Sequence, residues 1–284
     1  MAASKRWAAF PYESKAFDYG GDKLAKAWDT LHGGDAEPFP DAARVAGAIR
    51  KTPALGKAAQ ADQLAAQLQD AWRSHHRGDF QDAFEAGSAL GPLGASVAVK
   101  AGGIHAVYLV DDEKEQLKRF EQLAALADAA ARAWPDDANT HYRHAFALGR
   151  YSQGISIAKA LSQGLAGKVK QSLDKALKLA PKHAEAHTAL GLYHAEIINK
   201  VGAMIGGLTY GAKAAAGEEH LKTALKLTPA SPIAHIEYGN GLLLLFGDRK
   251  EDEAAAAYEK AAKLKPRDAM EKLDVAFALS QLEE

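Results

Sequence analysis

Histidine is the residue type in this chain with the most obvious capacity for chemistry, eleven in all and several at helical spacing. His183 and His187 stand at i and i+4, His194 follows two turns on, and His141 and His144 stand at i and i+3. Such spacings can present two imidazoles to one metal ion. There is, however, no His-Glu-x-x-His signature, and Glu185 points off the face that His183 and His187 share. The sequence predicts no metal site and no cofactor. Nucleophilic chemistry is no better served, because Ser152, Ser156, Ser172 and Ser231 all lack a Gly-x-Ser-x-Gly setting. No glycine-rich stretch reads as a phosphate-binding loop, and Gly20-Gly21-Asp22-Lys23 has no strand before it. Asp111-Asp112 and Asp136-Asp137 fit loop and helix-capping roles. No catalytic residues are expected, and the chain reads as not an enzyme.

The elements that carry these residues are written as a repeat. Pro135, Pro181, Pro229 and Pro266 each close the same phrase, with Ala130, Ala176, Ala224 and Ala261 five residues earlier. Eight before each proline stand Ala127, Leu173, Leu221 and Tyr258, and twelve before stand Leu123, Val169, Gly217 and Ala254. That is one face of an amphipathic helix that proline then stops. Ten residues after the first three prolines come Ala145, Gly191 and Gly239, small enough for two helices to touch. A unit recurring at fixed landmarks implies a stacked array that presents a surface to a partner.

With Gly78-Asp79-Phe80-Gln81-Asp82-Ala83 opening an earlier helix pair, the pattern over residues 60–284 resembles the tetratricopeptide (TPR) repeat. The resemblance implies an all-α, right-handed solenoid of about five helix pairs, with an array over residues 59–284 and an N-terminal extension over residues 1–58. His141, His187 and His235, each six residues after a proline, then fall where such repeats commonly carry a large aromatic between paired helices. They make a three-rung, half-buried and chiefly structural ladder, and if the rings are buried neutral, stability falls as pH drops through about 6.5. First helices line the concave face in such arrays. The resemblance therefore places Asn139, Tyr142 and Phe146, then Glu185, Thr188 and Leu192, then Ile233, Ile236 and Asn240 on a binding stripe. That stripe lacks the Lys/Arg clamp some TPR modules use for carboxylate tails, and suits an apolar helix, an extended segment or a greasy small molecule.

The prolines lie 46, 48 and 37 residues apart, against a regular repeat of about 34. The surplus falls in residues 149–170 and 196–216, which are small and apolar, with Gly202, Gly206, Gly207 and Gly211 at helical spacing. The expectation is that each first helix runs on by about three turns. Packing within the chain, a homo-oligomer interface through 196–216 and a pocket for a small apolar ligand all remain open for the overhang. The lengthened helices and the stretch 215–232 are also distantly similar to TPR proteins associated with tripartite (TRAP-type) transporters, whose roles are ligand transport.

Trp7, Phe10, Tyr12, Phe17, Tyr19 and Trp28 crowd aromatic side chains into the first 28 residues of the chain. This arm either caps the first repeat or lies in the groove as a built-in ligand. Short helices are expected around Asp22–His32 and Asp41–Ile49. The net charge of −1 makes no electrostatic case for nucleic acid. The absence of cysteine excludes disulfides and thiolate sites. No stretch is apolar enough to span a membrane, and no signal peptide opens the sequence, so a cytoplasmic location is expected. The function expected is a non-enzymatic scaffold with a protein partner. The alternative is a binding protein for a small apolar ligand.

Overall fold

The computed structural model describes residues 6–283. The first five residues, which bear on the expected lack of a signal peptide, lie outside the described residues. In chain order the helices are α1 (Lys23–Leu31), α2 (Ala42–Lys51), α3 (Ala61–Arg77), α4 (Phe80–Ala89), α5 (Ala95–Leu109), α6 (Glu113–Ala133) and α7 (Ala138–Gln153). They continue as α8 (Ile157–Ser162), α9 (Leu165–Leu179), α10 (Ala184–Val201), α11 (Ala203–Tyr210), α12 (Ala214–Leu227), α13 (Pro232–Phe246), α14 (Glu251–Ala262) and α15 (Ala269–Glu283). The fold is all-α and TPR-like, with no strand among the described residues. Two compact units divide it. One holds Met1–Trp28, Pro38–Lys159 and Asp268–Met270; the other holds Asp29–Glu37, Ala160–Arg267 and Glu271–Glu284.

In the first unit, α3 ends at Gly78, whose φ of 96° is a left-handed turn that favours glycine. Phe80 and Ala83 then enter the core of α4, as the repeat pattern requires. Val45 and Ile49 of α2 pack with Ala61, Ala65 and Leu68 of α3 and with Leu93. α2 thus packs along the apolar face of α3. Asp137 caps α7 by accepting from Thr140 N at 3.0 Å.

The proline-closed phrase has one backbone geometry wherever it precedes a new pair. Trp134 N donates to Ala130 O at 2.7 Å, Ala180 N to Ala176 O at 2.8 Å and Thr228 N to Ala224 O at 2.9 Å. All four phrase alanines are buried, as are Leu123, Leu173 and Leu221. In the second unit α10 packs on α12 and α13, and α13 on α14. Gly191 permits this closeness, because a Cβ there would sit 2.6 Å from Leu221 Cγ and 3.0 Å from the Gly217 carbonyl oxygen.

The surplus residues do not lengthen the first helices by three turns. α7 stops at Gln153 and α10 at Val201, and the extra residues fold as the separate short helices α8 and α11. Positive-φ glycines bound the inserts, with Gly202 ending α10, whereas the Gly154 that ends α7 has an ordinary φ of −87°. Gly164, Gly202 and Gly211 take φ values of 62°, 81° and 66°, which a continuing helix cannot hold. Nor do these three glycines serve close packing, since a Cβ on any of them would meet nothing within 4 Å.

Candidate functional site

Of the nine residues expected on the binding stripe, Asn139, Tyr142 and Ile236 are buried and the other six are half-buried. On α7, Asn139 and Tyr142 are buried, and Phe146 packs on Gly103 of α5 and lies 6.1 Å from the Phe120 ring of α6. On α10, the backbone N of Glu185 donates to Gly34 O at 2.9 Å, and its half-buried side chain lies against Gly34. Thr188 turns its hydroxyl back to Ala184 O at 3.2 Å, and Leu192 packs against Leu221, Tyr238, Leu242 and Ala257. On α13, Ile236 is buried with Ala261 and Ala278, with Ile233 packed against them. Asn240 donates to Glu237 at 2.9 Å and accepts from the Tyr258 hydroxyl at 2.5 Å, which turns it toward α14. Within the second unit the chain's own residues 29–37 lie on α10, and the Thr30 carbonyl accepts from Arg267 Nη1 at 2.7 Å.

The three proline-spaced histidines form a ladder of rings turned back onto the proline loops. Nε2 of His141, His187 and His235 lies 2.8, 3.0 and 2.9 Å from the carbonyl of Pro135, Pro181 and Pro229 respectively. Each ring is half-exposed. Each Nε2 thus ties its ring to the loop that its own proline closes. The middle rung has a further partner, because His187 Nδ1 lies 2.8 Å from His220 Nδ1. With His187 Nε2 donating to Pro181, its Nδ1 accepts, and His220 supplies the proton between the rings. His194 stacks on His220 with centroids 6.1 Å apart, and its Nδ1 accepts from Lys213 N at 3.3 Å. Burial first, then His220 and Lys170, push the His194 pKa down to about 4; burial and His187 also lower His220.

The best-formed recognition geometry in the first unit surrounds the N-terminal arm. Trp7 N donates to Gln81 Oε1 at 2.9 Å, and Ala8 O accepts from His105 Nε2 at 3.2 Å. The Trp7 ring lies 3.7 Å from the Arg119 guanidinium carbon, 4.5 Å from the His105 ring and 5.1 Å from Phe84. Arg119 is 8% exposed, and its Nη1 makes no hydrogen bond to any described residue. Phe10 packs so tightly on Gly78 that a Cβ would lie 2.7 Å from its ring, while Phe17 is buried. Arg73 donates to the carbonyls of Tyr19 and Gly21 at 3.1 and 3.2 Å. An irregular segment with a single 3-10 turn at Lys15–Phe17 is thus held by hydrogen bonds to its backbone, with aromatic side chains in fitted positions on a face made by α3, α4, α5 and α6. The aromatic crowding of the arm was visible in the sequence. Its receptor residues were not, because Gln81, His105 and Arg119 share no spacing.

A second exposed feature is α11, where Met204, Ile205 and Leu208 are 75%, 51% and 85% accessible. Among the described residues no helix is long and apolar enough to cross a membrane.

The fold and these surfaces define a TPR-like helical-repeat protein. Residues 101–201 match the family described as regulator of microtubule dynamics protein 1-3, which is about a third of the chain. No curated protein sequence matches the chain significantly. A thermophilic TPR protein of Thermus thermophilus superposes with a TM-score of 0.54 at 17% identity, over 76% of this chain and 99% of that one. At that identity the likeness establishes the fold and nothing finer.

Proposed function

We propose that this protein is a non-enzymatic, TPR-type interaction scaffold whose partners bind as irregular, aromatic-bearing segments. The observation that carries this is the arm. Residues 7–19 lie on the α3–α6 face as a peptide would, with Trp7 over Arg119 and main-chain bonds to Gln81 and His105. On this reading the extension over 1–58 does two jobs ahead of the array at 59–284. α2 caps α3, and the arm fills a docking face in cis. The stripe from Asn139 to Asn240 serves mainly as the packing that holds the pairs.

The test is a labelled peptide of residues 6–19 titrated by fluorescence anisotropy onto a chain lacking residues 1–19. Saturable binding that Arg119→Ala weakens at least about tenfold is expected. A shortened chain that keeps its helical circular dichroism yet binds no peptide defeats the proposal. The second reading, a small apolar ligand in the manner of transport-associated TPR proteins, draws on exposed Met204, Ile205 and Leu208 of α11. Native mass spectrometry of the full chain discriminates between them, because a retained small molecule lost on unfolding favours that alternative.

A further inference from the structure

The last turn of α3 carries His75 and His76, neither at the spacing by which paired histidines are usually sought. Asp268 stands two residues after Pro266, the same register as Asp137, His183 and Ser231, which all stand at helix N-caps. All three belong to the first unit and are 0%, 1% and 3% exposed respectively. Their donor atoms lie within 4.8 Å of one another, and His76 Nδ1 is 2.8 Å from Asp268 Oδ2 across 192 residues of sequence. Aromatic rings form the surround. Trp72 stacks on His76 at 5.9 Å and stands edge-on to His75 at 5.5 Å, while Tyr19, Trp28 and Phe80 approach edge-on at 5.9, 6.5 and 5.7 Å.

We propose that His75, His76 and Asp268 form a buried three-ligand binding site for a divalent cation of the zinc class, whose fourth position is left to a water. Two imidazoles and a carboxylate, with no thiolate, are a donor set suited to Zn²⁺. Bonds of about 2.0–2.2 Å set donors in a tetrahedral site about 3.3–3.6 Å apart. The 2.8 Å His76–Asp268 separation must therefore open by about half an ångström and the wider separations close, which is within side-chain adjustment. The chemistry favours filling the site. The Asp268 carboxylate is 3% exposed, and a dication held between it and two imidazoles offsets its buried charge. The ring wall excludes bulk water and fixes both imidazole planes, as the outer shell of a structural metal site does. A bound ion there joins the end of α3 to the Asp268 segment and serves stability rather than reaction.

The full chain, stripped with a strong chelator and dialysed, is titrated with Zn²⁺ and separately with Co²⁺. The expected result is about one equivalent per chain. A Zn²⁺-dependent rise in Tm and the visible ligand-field bands of low-coordinate Co²⁺ should accompany it. Asp268→Asn keeps the shape and a hydrogen bond to His76, and His75→Gln keeps a polar side chain. Each should weaken binding by about tenfold or more while helical content holds. His187→Gln, in the other unit, should leave stoichiometry and affinity unchanged. Failure of the stripped wild-type chain to bind either ion overturns the proposal and leaves a buried Asp–His hydrogen bond. Binding unaffected by Asp268→Asn and His75→Gln, or lost with His187→Gln, overturns it equally.

Discussion

Acidification from pH 7.5 to 5.5 should destabilise this protein through two histidines that the repeat pattern does not pick out. His105 and His194 are buried, and both have pKa values pushed down from 6.5 to about 4. Burial is the main cause in each case. Arg119 adds to it at His105 against Glu115, and His220, Lys170 and Lys213 add to it at His194 against Asp174. A depressed imidazole pKa means that the unfolded chain takes up a proton where the folded chain does not. The stability is intact above about 6.5 and is lost as pH falls toward 4. Between pH 7.5 and 5.5 the linkage integral gives about 1.3 kcal/mol for each ring, or about 2.7 kcal/mol for both. At about 2–4 °C per kcal/mol for a chain of this size, Tm should fall by about 5–10 °C. Lowered His220 adds in the same direction, whereas Asp137, whose carboxyl burial raises, acts in the opposite sense. Scanning calorimetry of wild type and of His105→Gln/His194→Gln at both pH values isolates the pair. The variant should lose most of the pH dependence. An equal Tm drop in variant and wild type, or none in wild type, refutes the assignment.

The repeat glycines should respond to alanine with opposite signs. Gly191→Ala drives a methyl into Leu221 and should cost about 1–3 kcal/mol in urea unfolding. Gly167→Ala on α9 meets nothing within 4 Å and should gain about 0.5–1 kcal/mol. Leu173→Ala removes a fully buried side chain and should cost about 2–5 kcal/mol by the same assay. Leu208→Glu on α11 should move stability by less than about 0.5 kcal/mol. If residues 196–216 mediate self-association, the same variant reduces the mass measured by light scattering, and an unchanged mass removes that role.

What could be read beforehand is what a helix face encodes locally. The prolines and alanines of the repeat specify which residues are buried and where each helix stops, and Ala130, Ala176, Ala224 and Ala261 meet that specification. The short inserts were misread because helical composition alone does not report backbone sign. Gly202 and Gly211 look like packing glycines in sequence, yet at positive φ they break the helix. The surroundings of the stripe residues have a non-local origin. Register places Glu185 and Asn240 on a face correctly enough, but Gly34 covers the first and Tyr258 engages the second. The histidine ladder shows the same limit. Its spacing was plain, but the proline carbonyl that each ring reaches depends on how the loop turns back.

The arm and the His76–Asp268 contact also set an order of assembly during synthesis. Trp7 is made before Arg119, so its seat is incomplete until Arg119 has emerged, and His76 lies 192 residues ahead of Asp268. At about 5–20 residues per second of translation, His76 waits about 10–40 s for its partner. Through that interval the aromatic cluster of Trp28, Trp72 and Phe80 has its helices but not its closure. The nascent chain therefore carries these rings uncovered on the Asp268 side until the second half of the sequence is made.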